Sequence, residues 1–338
     1  MIKESPSLPP HQDNAFAWYG PEMAKSESQW ITMLTRNEIK ELESAAELVI
    51  ASGKKTEEIT TQDFPLPTLT SKLLKLKAEL MKGKGFALFR GLPVEKYSEE
   101  ESGIIFYGIG AHLGKAKVQN AQGHLLGHVR DLGMSSTDPN VRVYQTKERQ
   151  TFHTDSADVV GLLCLKTAKR GGLSMLVSST TIFNEMRKQR PDLLQLLFEP
   201  VATDRRGEIP PGMLPYFLIP VFNYYQGYLT AIYQRQYIDS AQRFSDAPRL
   251  TEKHIEALDM FDALANSPEQ NFSMELKEGD MQFVYNHTLL HDRTAFEDWP
   301  DDARKRHLLR LWLAIPGDRP LPEIFATKFS DRMPVGIV

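Results

Sequence analysis

The first part of the chain repeats apolar residues every three or four positions, which is the spacing of an amphipathic helix. Two such segments are Asn37–Ile50 and Ser71–Lys82. Ser98 is followed three residues later by Glu101, which predicts a capping box at the start of a third helix that runs towards His112. A small helical layer is therefore predicted near the N-terminal end.

Short apolar runs bounded by turn residues predict strands, and most of them lie beyond Gly114. The predicted strands are Phe86–Arg90, Val141–Tyr144, Val159–Leu165, Leu173–Val177, Met281–Tyr285 and His307–Ile315. The helices predicted among them are Thr181–Arg190, Asp192–Phe198 and Thr251–Ala265. This order favours a mainly β barrel or jelly roll with helical cover.

We predict one structural unit in two parts. Residues 1–82 form an N-terminal arm and helices that pack on the barrel, and residues 83–338 form the barrel domain. Residues 200–250 are rich in proline and tyrosine and predict an irregular insert within that domain.

Composition narrows the possible functions. The 338 residues include 40 basic and 44 acidic side chains, so a partner bound by phosphate neutralisation, such as a nucleic acid, is not expected. The single cysteine, Cys164, excludes an internal disulfide and any cysteine-based zinc or iron–sulfur site. Without a signal peptide or an apolar run of about 18–20 residues, we expect a cytoplasmic protein with no membrane partner.

A His-x-Asp segment is the first candidate for chemistry. In an extended chain His153 and Asp155 point to the same face, while Thr154 points to the other. These two side chains and one distant histidine would give the two-histidine, one-carboxylate set of non-haem Fe(II) oxygenases, which leaves open metal positions. The pair alone is a weak signal, because a surface hydrogen-bonding pair at a strand end has the same pattern.

Two arginines near the C-terminal end are the second candidate. If the segment from Arg304 to Ala314 is extended, Arg306, Leu308, Arg310 and Trp312 share one face. A guanidinium is costly to bury unless an anion pairs with it. The anion is either a bound carboxylate, which suits the two-pronged donor of arginine, or one of the chain's own carboxylates in a structural salt bridge.

Taken together, these motifs resemble the Fe(II)- and 2-oxoglutarate-dependent dioxygenases of the taurine dioxygenase-like group (TauD/TfdA, clavaminate synthase-like). The resemblance covers roughly residues 83–316. The motifs that carry it are, in order, the Gly85–Gly91 strand, His153-Thr-Asp155, Gly171-Gly-Leu-Ser174, and His291 followed by Arg306 and Arg310. The resemblance implies a double-stranded β-helix core, a jelly roll of the cupin-like type.

The resemblance also implies the cofactors and their ligands. His153, Asp155 and His291 match the Fe(II) ligands. Arg306 matches the arginine that holds the far carboxylate of 2-oxoglutarate, and Ser174 matches a hydroxyl partner that is threonine in the best-known members. O2 is the other cosubstrate.

Substrate contacts are expected from Arg310, from Ser156 and from Gln119, with Asn120 and His124 nearby. Residues 205–225 mix prolines with aromatic residues and predict either a lid over the site or a structural loop. The prolines and aromatic residues are Pro210, Pro211, Pro215, Pro220, Tyr216, Phe217, Phe222 and Tyr224.

Two further positions follow from the family pattern. Asn286 matches a residue expected to order the turn before His291. His287 stands where an arginine is frequent, and we expect it near the metal ligands or on the surface rather than as a further ligand.

The implied reaction oxidises a C–H bond of a small, anionic molecule, such as an amino acid, a carboxylate or a natural-product intermediate. Succinate and CO2 are the co-products, and hydroxylation is the default outcome beside desaturation or ring closure. The alternative is a barrel of the same fold that binds a metal or a small ligand without catalysis. A metal hydrolase would need a general base close to the metal, and no candidate stands out. A homo-oligomer is possible.

Overall fold

Two β-sheets form the centre of the computed structural model, which describes residues 8–120, 122–135, 141–209 and 212–325. The strands are β1 Ile31–Met33, β2 Phe86–Arg90, β3 Lys115–Ala116, β4 Leu126–Val129, β5 Gln150–His153, β6 Val159–Lys166, β7 Arg170–Gly171, β8 Ser174–Ser178, β9 Val201–Asp204, β10 Tyr216–Ile219, β11 Phe222–Tyr225, β12 Tyr228–Ala231, β13 Asn271–Met274, β14 Met281–Tyr285, β15 Leu289–Arg293, β16 Phe296–Glu297 and β17 His307–Ala314. The helices are α1 Gly20–Ala24, α2 Arg36–Ser52, α3 Thr70–Lys82, α4 Glu99–Leu113, α5 Ser179–Gln189, α6 Pro191–Leu196, α7 Arg235–Ala241 and α8 Glu252–Asn266.

The larger sheet has the strand order β1-β2-β14-β6-β17-β3, with β4 also paired to β17. The smaller sheet has the order β13-β8-β15-β5. From β5 onwards, successive strands of the two sheets mostly alternate between them, since β5, β8, β13 and β15 lie in the smaller sheet while β6, β14 and β17 lie in the larger. This alternation is that of a jelly roll, so the predicted mainly β fold with a double-stranded β-helix core is confirmed.

Helices cover the outer faces of both sheets. Apolar side chains of α2, α3 and α4 share one core with those of β14 and β17. A second core joins α5, α6 and α8 to the smaller sheet. The predicted capping box of α4 is confirmed, because Ser98 Oγ accepts a hydrogen bond from the Glu101 amide at 3.1 Å and the Ser98 amide donates to Glu101 Oε2 at 2.7 Å.

The N-terminal arm packs along the barrel from residue 8 onwards. Trp18 Nε1 donates to the Lys84 carbonyl at 2.8 Å, and the ring of Trp18 packs against Phe86 and Phe272. Among the described residues, no helix combines the length and the apolar character that a membrane crossing requires.

The strand predicted at Val141–Tyr144 is wrong. Val143–Gln145 form one turn of 3-10 helix, in which the Arg142 amide donates to Gln145 Oε1 at 3.3 Å. The Tyr144 ring packs against the Arg310 guanidinium, 4.6 Å from ring centre to guanidinium carbon. The alternating pattern of the segment therefore serves packing at a cavity wall rather than pairing in a sheet.

The irregular insert predicted at 200–250 is also wrong. The segment contains two antiparallel hairpins, β9 with β10 and β11 with β12, followed by α7. Pro215 and Pro220 flank β10 instead of interrupting it, so their missing N–H groups cost no bond within that strand. Pro210 and Pro211 lie outside the described residues.

Candidate metal centre and cosubstrate pocket

Adjacent strands of the smaller sheet bring the three predicted metal ligands together. His153 ends β5 and lies opposite His291 of β15, with ring centres 4.2 Å apart. Asp155 follows β5, and its carboxylate oxygens lie 3.9 Å from His153 Nε2 and 3.6 Å from His291 Nε2. One donor atom from each side chain lies within 4.8 Å of the others, so a single ion could contact all three.

The turn between β14 and β15 fixes the backbone around Asp155. Asn286 Oδ1 accepts from the Asp155 amide at 3.0 Å, and Asn286 Nδ2 donates to the Ala157 carbonyl at 3.0 Å. Asn286 therefore orders the segment that carries one candidate ligand, in addition to the turn that leads to His291. His287 is buried beside Asp158, with Nε2 at 2.7 Å from Oδ1, and forms a cluster separate from the candidate metal ligands.

His153 and Asp155 are in the protonation states that a metal requires. His153 Nδ1 donates to the Thr151 carbonyl at 2.8 Å, which leaves the lone pair of a neutral ring on Nε2. Burial, aided by the neighbouring His291, lowers the pKa of His153 to about 3. Burial alone would raise the pKa of Asp155, but Arg310 and His291 outweigh it and hold that pKa well below its usual range.

Strand β17 supports the Asp155 carboxylate from the larger sheet. Trp312 Nε1 donates to Asp155 Oδ2 at 2.9 Å, and Arg310 Nη1 lies 3.8 Å from the same oxygen. The sequence placed Trp312 on the same face as the two arginines but gave no indication of this hydrogen bond. Gln150, which sequence reasoning also missed, lies beside the centre with Nε2 at 2.9 Å from His153 Nε2.

Arg306 and Ser174 line one cleft with the candidate metal ligands, as predicted. Arg306 is buried, and burial lowers its pKa to about 10. Its Nη1 has no hydrogen-bond partner among the described residues, so a group able to accept from it fits there. Ser174 Oγ donates to Gln282 Oε1 at 2.9 Å.

A glycine leaves room for the Arg306 guanidinium. Gly172 has a φ of +70°, and a Cβ at this position would lie 3.0 Å from Arg306 Nε. At Gly171, a Cβ would lie 2.2 Å from the Ala295 carbonyl oxygen. The Gly-Gly pair of the sequence motif therefore lets this loop pass close to the cleft wall.

A second buried arginine, Arg293, lines the same cleft and was not identified from the sequence. Its side chain donates to the carbonyls of Thr146, at 2.8 Å, and Glu148. Burial, with the charge of Arg306 added, lowers the pKa of Arg293 to about 9. Two buried guanidinium groups favour a bound anion in this cleft. In the sequence, only the position of Arg293, two residues after His291, could have indicated that Arg293 lies near the candidate metal ligands.

A cavity of about 860 Å³ opens beside the candidate metal ligands and is lined by Arg310, Ser156, Gln119 and Asn120. Gln119 Oε1 accepts from Arg310 Nε at 2.7 Å, and Gln119 Nε2 donates to the Leu125 and Arg310 carbonyls at 2.8 Å. Gln119 is buried and orients Arg310 through these bonds. His124 is exposed and hydrogen-bonded to Asn120.

The loop after β9 forms one side of the cavity mouth. Residues 205–209 supply Arg205, Glu208 and Ile209 to the lining, and Glu208 forms an ion pair with Arg142 across from it. In the later part of the 205–225 segment, Phe217 and Ile219 also line the cavity. Phe222 packs in the core under the helices, whereas Tyr224 is exposed.

A model of the family described as "Taurine catabolism dioxygenase TauD, TfdA family" matches residues 51–312. The chain belongs to this family. The chain is also similar to FR-33289 synthase of Streptomyces rubellomurinus, with 34% identity over 306 residues, and the match covers 89% of each chain. The family resemblance noted in the sequence is thereby confirmed.

Solved structures share the fold. An asparagine oxygenase in complex with Fe(II), 2S,3S-3-hydroxyasparagine and succinate matches with a TM-score of 0.65 and 16% identity, over 84% of this chain and 93% of that one. The non-heme iron oxygenase OrfP in complex with Fe and alpha-ketoglutaric acid matches with a TM-score of 0.63 and 16% identity, over the same shares, 84% and 93%.

The family decides the general activity. Its enzymes are dioxygenases that use Fe(II), 2-oxoglutarate and O2, so this chain is an enzyme of that class. The cleft fits these cofactors, because two imidazoles and a carboxylate suit Fe(II) and the buried Arg306 suits an anion. The predicted enzyme class and cofactors are confirmed.

Proposed function

We propose that the enzyme oxidises a C–H bond of a small anionic substrate, with hydroxylation as the default outcome and succinate and CO2 as co-products. The single observation that carries the substrate class is the place of Arg310. Its buried guanidinium lines both the large cavity and the cleft of Arg306 and Ser174. A substrate anion at Arg310 would lie beside the candidate metal ligands.

The proposal assigns Fe(II) to His153, Asp155 and His291. The meeting of three donors on two adjacent strands supports this assignment. Trp312 and Arg310 then hold the Asp155 carboxylate from strand β17. Such outer contacts orient a ligand and tune its affinity for a metal.

The proposal assigns the far carboxylate of 2-oxoglutarate to Arg306 and Ser174. Arg306 Nη1 can donate to it, and the Ser174 hydroxyl can donate once it turns from Gln282. Arg293 adds positive charge in the same cleft while its own donors hold the loop at Thr146. The cleft thereby favours a dianion over a neutral molecule.

The large cavity supports a substrate with an anionic group. Beside Arg310, the cavity is lined by the basic side chains of Lys115 and Arg205. With O2, the bound Fe(II) and 2-oxoglutarate supply the oxidising chemistry. The protein contributes position and water exclusion, because Gln119 fixes Arg310 and the Glu208–Arg142 pair bridges the mouth.

The first experiment measures succinate formed by anaerobic protein that is loaded with Fe(II) and 2-oxoglutarate and then exposed to O2. It is run with and without a panel of amino acids and other small acids. We expect succinate that a panel member stimulates and that the His153→Ala variant does not form. If wild type and His153→Ala form equal succinate, or if no acid stimulates the wild type while neutral analogues do, the proposal is wrong.

A second experiment tests the role of Arg310. Arg310→Ala should raise the KM for the stimulating acid at least 10-fold, because a charge-assisted hydrogen bond contributes about 1.5–3 kcal/mol. The KM for 2-oxoglutarate should change much less. The reverse pattern would assign Arg310 to the cosubstrate instead. Arg304→Ala, which removes an exposed arginine outside the cleft, is the matched control.

A further inference from the structure

A second group of metal-ligating side chains lies on the outer side of the larger sheet. Glu99 begins α4, His128 lies in β4, and His307 begins β17. Each residue offers one donor atom, and these atoms lie within 4.8 Å of one another. The group shares no residue with the candidate Fe(II) ligands.

The fold sets the two imidazoles side by side. Strands β4 and β17 are antiparallel neighbours, with His128 opposite Leu309, and a β-bulge follows His307. The ring centres lie 5.1 Å apart, and His128 Nδ1 lies 2.9 Å from His307 Nε2. One of these nitrogens must carry a lone pair, because a hydrogen bond between two imidazoles needs an acceptor.

Glu99 completes the group from above the strands. Its two carboxylate oxygens lie 3.5 Å from His128 Nδ1 and 3.6 Å from His307 Nδ1. Donor atoms on a tetrahedral zinc ion lie roughly 3.3 Å apart, as follows from zinc–ligand distances of about 2.0–2.1 Å. The side chains therefore need only small rotations to share one ion.

The surroundings also favour neutral imidazoles and an open coordination position. Desolvation by its neighbours lowers the pKa of the partly exposed His128, and burial lowers the pKa of His307 to about 4, so both rings are neutral near pH 7. Glu99 and His307 line a cleft of about 500 Å³, which leaves room for water as a fourth ligand. Arg130 lines the same cleft, and its charge weakens the attraction for a cation.

We propose that Glu99, His128 and His307 form a second metal site, distinct from the Fe(II) centre, for a divalent cation of the zinc class. Two imidazoles and one carboxylate match the donor preference of zinc. An ion held there joins the start of α4 to β4 and β17. Because Arg306 directly precedes His307, the site lies next to the residue assigned to the cosubstrate. With Arg130 close by, we expect micromolar affinity.

Calorimetric titration of the purified full-length protein with zinc chloride tests the proposal. The metal-free wild type should bind two zinc ions, and both Glu99→Gln and His128→Ala should bind one. The His153→Ala/His291→Ala variant should retain one ion. Adding Glu99→Gln to this variant should abolish the remaining zinc binding or weaken it at least 10-fold. Both single substitutions change exposed side chains, so the fold should tolerate them.

His124→Ala is the matched control, since His124 is an exposed histidine four residues from His128. It should still bind two ions. Cobalt(II) gives an independent readout, because a four-coordinate site has strong visible absorption that His128→Ala should abolish in the His153→Ala/His291→Ala background. The proposal is overturned if that background binds no zinc, or if its zinc binding is unchanged by both Glu99→Gln and His128→Ala.

Discussion

Asp155 is held by neighbours on three sides, and each contact has a separate physical role. Asn286 fixes its backbone, whereas Trp312 and Arg310 act on its carboxylate. A carboxylate with a fixed orientation loses less conformational entropy when it binds a metal. The contact residues should therefore affect metal affinity even though they supply no ligand.

Trp312→Phe tests this inference at the level of one hydrogen bond. The substitution keeps a buried aromatic ring but removes the indole N–H that donates to Asp155. We expect Fe(II) affinity to fall about 10-fold, at the low end of such outer contacts. Anaerobic titration with Fe(II) measures it, and Trp299→Phe serves as the control. Equal affinities of Trp312→Phe and wild type would contradict the inferred role.

The buried histidine of the centre predicts a pH dependence of stability in the metal-free protein. The pKa of His153 is about 3 when folded, against about 6.5 in an unfolded chain. Below pH 6.5 the unfolded state binds the proton first, so the free energy of unfolding falls as the pH falls towards 3. Because the pKa of Asp155 is also lowered in the folded state, protonation of Asp155 lowers the free energy of unfolding further at lower pH.

Between pH 7.5 and pH 5, this histidine should cost about 2 kcal/mol of stability. Urea unfolding at the two pH values measures the loss, and His153→Gln should show a smaller one. If the two proteins lose equal stability, the proton is taken up elsewhere.

The structure brings the residues predicted from short motifs together around one cleft. Alternation in an extended chain places His153 and Asp155 on one face, and likewise Arg306 and Arg310, although Asp155 follows β5 and Arg306 precedes β17. The contact of Asn286 with Asp155 joins residues 131 positions apart, and no local pattern encodes such a distance. The roles of Trp312 and Arg293 were missed for the same reason, because each depends on which strands become neighbours.

Among the elements, the sequence predicted correctly those that a short pattern of neighbouring residues specifies. The capping box of α4 and the buried strand at Phe86–Arg90 were both predicted correctly. Val141–Tyr144 failed because its side chains pack at a cavity wall, so tertiary contacts overrode its strand-like pattern. The prediction for residues 200–250 failed because the abundant prolines and tyrosines indicated irregular structure, although Pro215 and Pro220 flank β10.

The Glu208–Arg142 ion pair should hold one part of the cavity wall in place. Glu208→Gln removes the charge and keeps the shape, so this part of the wall should hold a bound substrate less firmly. We expect the substrate KM to rise about two- to five-fold, in line with a partly exposed ion pair of up to about 1 kcal/mol. The Fe(II) and 2-oxoglutarate affinities should stay unchanged.

Steady-state kinetics with the substrate found in the panel measures this effect. The matched control is Glu199→Gln, an exposed glutamate that does not line the cavity. A rise in the KM for 2-oxoglutarate that equals the rise for the substrate would contradict a role at the mouth alone.

For the whole molecule, one largely buried ion pair links β2 and β14, which are neighbouring strands of the larger sheet. Arg90 at the end of β2 donates two hydrogen bonds to Asp280, which precedes β14, at 2.8 and 2.7 Å. Asp280 is fully buried, and removal of one partner leaves the other without its counter-charge. Asp280→Asn should therefore lower the free energy of unfolding by about 3 kcal/mol.

Chemical denaturation measures the loss. Glu297→Gln is the control, because its exposed pair with Lys169 should contribute less than about 1 kcal/mol. Losses of similar size in the two variants would show that burial of Asp280 adds no stability to the pair.

The position of β17 has a consequence for the synthesis of the protein. This strand comes last among the strands of the larger sheet, yet it lies inside that sheet and pairs with β6, whose residues precede it by more than a hundred positions. A nascent chain thus lacks Arg306, Arg310 and Trp312 until every other strand of this sheet has been synthesised. The barrel must stay open for β17, so folding is expected to be slow.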